Sequence, residues 1–145
     1  MKKIFALLSI VTICYCQSST AQVVVKAMTS SLTNSVDSIR CISTTPNYLY
    51  ISPTNDYRTA VYQSTVTRVS AAIGGSIFLQ GSVDGTNWHT ATNVAGDTNT
   101  VADAASQVLK IVTGPLYGVP YKYYRLKCTG ASSDTMTVKA KFCGR

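Results

Sequence analysis

Residues 74–90 read GGSIFLQGSVDGTNWHT, and this stretch decides the fold. Ile77, Leu79, Gly81 and Val83 alternate with Ser76, Phe78, Gln80 and Ser82, the period-two pattern of a strand with one buried face. Asp84-Gly85 then reverses the chain, because this dipeptide tolerates the positive φ values of a tight hairpin turn. A two-residue loop sets Trp88 opposite Gly81, and a four-residue loop over 84–87 sets it opposite Val83. Either register turns Trp88, the only tryptophan, toward the Ile77/Leu79 face and into the core.

The flanking sequence supplies partners for this hairpin. Strands are expected over residues 22–28, 36–43, 47–52, 59–71 and 107–112, with turn-forming residues at 30–35 and 44–46. Residues 93–106 are small and polar without either period, and read as a long loop with a short helix at 103–107. Gly114-Pro115, Gly118 and Pro120 keep 114–120 out of any central strand. Glu is absent and all six acids are Asp, while Thr, Ser, Val and Tyr are plentiful, so strand formers outweigh helix formers. The expectation is an all-β chain folded as a single antiparallel β-sandwich, Ig-like or jelly-roll, with about seven to nine strands.

Residues 1–21 have the form of a secretory signal peptide: Lys2 and Lys3, an apolar run from Ile4 to Cys16, and small residues at Ser19-Thr20-Ala21 before Gln22. The apolar run is shorter than the ~20 residues a membrane-spanning helix needs. A lipoprotein anchor on Cys14 or Cys16 is the rival reading. Export is therefore expected, to the extracellular space or cell surface, with residues 22–145 forming the domain. The formal net charge is +7, and loss of Lys2 and Lys3 leaves the remainder basic, which suits an acidic partner.

The second informative stretch, residues 121–145, reads YKYYRLKCTGASSDTMTVKAKFCGR. Lys122, Tyr124, Leu126 and Cys128 alternate with Tyr121, Tyr123, Arg125 and Lys127, and Met136, Val138, Ala140 and Phe142 alternate with Thr137, Lys139 and Lys141. Read as a hairpin, the two strands pair Leu126 with Val138 and set Arg125 opposite Lys139 on the outer face. Tyr121, Tyr123, Arg125, Lys127, Lys139 and Lys141 then form a basic, tyrosine-bearing face suited to an anionic glycan. The alternative is a solvated face whose charge keeps the protein soluble. Parity also bears on the three cysteines of the domain. Cys128 falls on the apolar face and Cys143 on the outer one, so Cys41 is the expected disulfide partner of one of them, preferably Cys128.

Little in the sequence suggests catalysis. No serine sits in a nucleophile elbow, a Ser-His-Asp triad would have to use the single histidine, His89, and the aspartates fall mostly in turns. No Cys/His spacing matches a metal site, and no cofactor motif is present. Asp84, Asn87 and His89, beside Trp88, form a secondary loop candidate for a sugar or calcium ion.

The run SVDGTNW at 82–88 behind an apolar strand resembles the strand–S-x-D-G-x-x-W–strand hairpin of phage-virion and prophage β-sandwich proteins. It is loosely similar to the Asp-box hairpin of sialidase-type propellers, with a shorter loop and a single occurrence, and to a hairpin in discoidin-like binding domains. Residues 123–142 resemble the closing strands of the same phage-type sandwiches. The resemblance implies a non-enzymatic structural or adhesive module on a particle or cell surface, assembling through protein subunits, with a homo-oligomer as one such assembly. The lectin-like reading of the basic face is the alternative.

Overall fold

The computed structural model describes residues 24–33, 36–53, 59–70, 72–91, 98–113, 121–131 and 135–144. The leader and its cleavage site, the 114–120 loop, Asp56 and Asp134 lie outside them. Ten strands are present among the described residues: β1 (Val24–Ala27), β2 (Ser38–Ile42), β3 (Asn47–Ile51), β4 (Ala60–Ser70), β5 (Gly75–Ser82), β6 (His89–Thr90), β7 (Thr98–Val101), β8 (Ser106–Thr113), β9 (Tyr123–Gly130) and β10 (Thr135–Gly144).

They form two antiparallel five-stranded sheets packed face to face, the expected β-sandwich. In one sheet the order is β1-β10-β4-β8, with β2 sharing the edge of β10 that β1 occupies. In the other it is β3-β9-β5-β6, with β7 beside β6 on the edge of β5. The strand beyond the expected number is β7; β6, the return strand of the hairpin, is only two residues long. β7 falls inside the stretch read as loop, and the helix expected at 103–107 is absent. There, the Gln107 side chain closes a turn instead, accepting from Ala102 N and donating to Ala102 O at 3.2 and 2.7 Å, and β8 starts at Ser106.

Alternation fills the space between the sheets. Leu49, Ile77, Leu79, Leu126 and Cys128 from one sheet face Cys41, Tyr62, Val66, Met136, Val138 and Phe142 from the other, all buried. Tyr62 packs at a tilt between Tyr124 and Phe142, at centroid distances of 5.7 and 5.4 Å, and burial, with Tyr124 beside it, raises its phenol well above the ordinary value. Cys41 and Cys128, both free and fully buried, lie on strands of the two sheets that come into contact across the interior. The neighbouring thiol draws Cys41 below the usual thiol value and, together with burial, pushes Cys128 up.

Two register expectations are corrected. First, β9 and β10 are not a hairpin: β9 lies between β3 and β5, β10 between β1/β2 and β4. The predicted apolar parity holds, with Leu126, Cys128, Met136, Val138, Ala140 and Phe142 all buried, but the rows face one another across the sandwich instead of lying side by side. Either arrangement buries the same alternating residues, so the pattern alone does not separate a hairpin from an arch. Arg125 and Lys139 consequently sit on opposite outer surfaces.

Second, Gly81 pairs with His89 and Gln80 with Thr90, leaving seven residues, 82–88, between the last paired positions, three more than the longer expected loop. Asp84 imposes that length. Its Oδ1 accepts from the backbone N–H of Thr86 and Asn87, both at 2.8 Å, its Oδ2 accepts from Asn87 Nδ2 at 2.8 Å, and Ser82 Oγ donates to it at 2.8 Å. Gly85 takes φ +78°, the left-handed conformation for which it was singled out. An odd number of extra loop residues inverts the parity of everything after it, so Trp88 turns outward and is half-buried, while Val83, just past the end of β5 at Ser82, is 64% exposed. The ring that covers Gly81 is Tyr121, into which a Cβ on that glycine would run.

Candidate functional site

The outer surface of the β3-β9-β5-β6 sheet carries an aromatic and basic platform. On β3, Asn47-Tyr48-Leu49-Tyr50-Ile51 buries Leu49 and Ile51 and so lifts Tyr48 and Tyr50 to the outside. On β9 the same alternation raises Tyr123, Arg125 and Lys127, and on β5 it raises Phe78 and Gln80. Register aligns them in rows: Tyr48, Lys127 and Phe78 across one, Tyr50, Arg125 and Gln80 across the next. Trp88 joins from beyond the hairpin loop.

Arg125 is the centre. Its guanidinium carbon lies 4.0 Å from the centroid of Tyr48 and 4.2 Å from that of Trp88. Its Nε donates to Gln80 Oε1 at 2.8 Å. Each cation–π contact contributes about 0.5–2 kcal/mol, and the glutamine bond fixes the plane of the fork. Among the described residues, no carboxylate pairs with this guanidinium, and its terminal nitrogens donate to no side chain. Tyr50 meets Trp88 edge-on at 5.6 Å and Tyr48 at 6.0 Å, so the three rings brace one another. Lys127 Nζ lies 5.1 Å from the Phe78 ring, and Lys122 Nζ lies 5.3 Å from Tyr123. The arrangement offers flat ring faces beside an immobilised planar cation with unused donors, a set suited to a flat, hydroxylated ligand bearing an anionic group.

Of the expected site residues, Tyr123, Arg125 and Lys127 belong to this platform. Tyr121 does not: it packs on the core over Gly81, edge-on to Tyr124 at 6.0 Å. Lys139 and Lys141 are exposed on the outside of the opposite sheet, where Lys139 pairs with Asp37 at 3.8 Å. The secondary loop candidate is a turn closed on itself. Donation from Asn87 and Thr86 N–H groups, the Asn87 amide and Ser82 holds the Asp84 carboxyl well below the usual carboxylate range, and Asn87 is used in the same network. His89 is exposed on β6. No group of three His, Cys, Asp or Glu side chains able to hold a metal ion exists among the described residues.

No family model and no curated protein matches the chain. A solved structure, the CBM22-1–GH10 modules of N-terminal endo-1,4-beta-D-xylanase 10B of Clostridium thermocellum complexed with xylohexaose, is similar over 85% of this chain. The identity is 11% and the TM-score 0.48, and this chain spans 24% of the length of that one. The reading of the platform rests on its own residues.

Tyr48, Tyr50, Phe78, Gln80 and Trp88 were missed from sequence. The signal for the first two was present in the Tyr-Leu-Tyr-Ile alternation, which needs only the assignment of Leu49 and Ile51 to the core to turn both tyrosines outward. Phe78 and Gln80 follow by the same parity from Ile77 and Leu79. Trp88 depended on the loop length, which a chain-reversing Asp-Gly does not disclose.

Proposed function

We propose that the chain is a non-enzymatic binding module that takes an acidic glycan on the outer face of the β3-β9-β5-β6 sheet. One observation carries this reading: a half-buried arginine held between two aromatic rings, with no acid paired with it and its terminal nitrogens donating to no side chain among the described residues. Rings braced on a rigid sheet offer contact area at low entropic cost, and the fixed fork suits a carboxylate or sulfate. A polynucleotide carries one phosphate per nucleotide and calls for a longer basic track than Arg125 and Lys127 supply. An array of acidic and neutral glycans at low salt, followed by calorimetry on the hits, tests the proposal. Binding is expected to acidic glycans, to weaken as salt rises, and to fall at least about tenfold in Arg125→Ala, the loss of one charge-assisted contact. No acidic-glycan signal at low salt, or equal binding by the variant, overturns it.

A structural or adhesive role, in which the exported module assembles through protein contacts, is favoured by the opposite face. There the register aligns Val25, Cys143, Val61 and Val112 in one row across β1, β10, β4 and β8, with Val25 61% and Val112 57% exposed. Light scattering that finds only monomer at every working concentration ends this second reading.

A further inference from the structure

We infer that Cys41 and Cys128 are the two halves of an inter-sheet disulfide, a covalent modification site that fastens the platform strand β9 to β2 of the opposite sheet. The inference is independent of the ligand. Cys41 lies in β2 beside Met136 of β10, and Cys128 lies in β9 between Asn47 of β3 and Ile77 of β5. The two strands belong to different sheets, yet alternation aims both side chains inward, both are 0% exposed, and β2 and β9 come into contact across the sandwich. Cys128 Sγ points at Leu126 O, at 3.9 Å, so the sulfur is directed by its own strand. Cys143, the remaining cysteine of the described residues, lies on the outer face of β10 and cannot reach either without a change of parity.

The bond forms by thiol–disulfide exchange with a small disulfide oxidant. One thiol loses its proton and attacks the oxidant's disulfide, releasing half of it as a thiol. The second, deprotonated in turn, displaces the other half, so that one S–S bond is made and one broken. Two protons and two electrons leave the protein, and the oxidant becomes two thiols. Because both sulfurs are enclosed, exchange occurs while the chain is folding or open. The product anchors β9 from its buried side, directly behind the outward-facing Arg125 and Lys127, and closes a long loop of chain.

Refolding the full chain from the reduced, denatured state in oxidised and reduced glutathione, then alkylating in denaturant and digesting with trypsin, decides the matter. Cleavage after Arg40, Arg58, Lys127, Lys139 and Lys141 places Cys41 in peptide 41–58, Cys128 in 128–139 and Cys143 in 142–145. The expected result is 41–58 linked to 128–139, with 142–145 alkylated. A Tm at least about 5 °C above that of the dithiothreitol-treated protein is also expected, with no such difference in the Cys41→Ala/Cys128→Ala protein. Recovery of 41–58 and 128–139 as separate alkylated peptides, or of either linked to 142–145, overturns the pairing. A linked protein whose Tm ignores the reductant overturns the fastening role. The mapping on the unmutated chain stands even if the double variant does not fold.

Discussion

Arg125 has charge, plane and position fixed by three neighbours, Tyr48, Trp88 and Gln80. Lysine at this position keeps the charge but loses the fork and the stacking surface, so Arg125→Lys is expected to bind acidic glycan nearly as poorly as Arg125→Ala, measured by calorimetry. Gly81 fixes a different contact. It is buried on the inner face of β5 under the Tyr121 ring, and any side chain there must displace that ring. Gly81→Ala is expected to cost about 1–3 kcal/mol in chemical denaturation, the range of an overpacked core, while leaving the fold in place. The two positions are adjacent to the same ladder pairs, yet one acts on the ligand face and the other on the interior, because parity separates them.

The β5–β6 hairpin depends on a single carboxylate for its loop length. The folded state holds the Asp84 carboxyl below its unfolded value of about 3.9, so its contribution is fully present above that value and is lost as pH falls through the folded one. Asp84→Ala is therefore expected to melt at a lower temperature than the parent at neutral pH, and the gap to narrow as the pH drops below about 4. Most strands were legible in the sequence because each buries one face, and β4, β5, β8, β9 and β10 lie within a few residues of the stretches that alternate. What alternation does not encode is the partner of a strand. Leu126 and Val138 are inward-facing whether β9 and β10 pair or arch, and Asp84-Gly85 marks a reversal without stating how many residues it takes. The first error moved side chains between surfaces while leaving the buried rows of β9 and β10 correct, the second took Trp88 out of the core, and the candidate site, which lives on one surface, was only half-read.

With β9 and β10 in different sheets, the basic residues of the C-terminal region divide between two opposite faces of the molecule. Charge reversal distinguishes them. Arg125→Glu is expected to abolish acidic-glycan binding, whereas Lys139→Glu, on the far side and already beside Asp37, is expected to change it less than about twofold once salt screens the distance across the sandwich. Equal loss in both variants would place the ligand somewhere other than the aromatic platform.

The arch has a further consequence in time. β10 is the central strand of its sheet, and its end pairs Gly144 with Val24, joining the last described residue to the first. β9, likewise central, needs β3 and β5 from far earlier in the chain. A polypeptide delivered from its N-terminus, by a ribosome or through a pore, thus has no closed sheet to adopt until its final strands arrive. Pairs such as β4–β8 and β5–β6 are available earlier, but the central strands come last, so completion of both sheets is limited by long-range pairing.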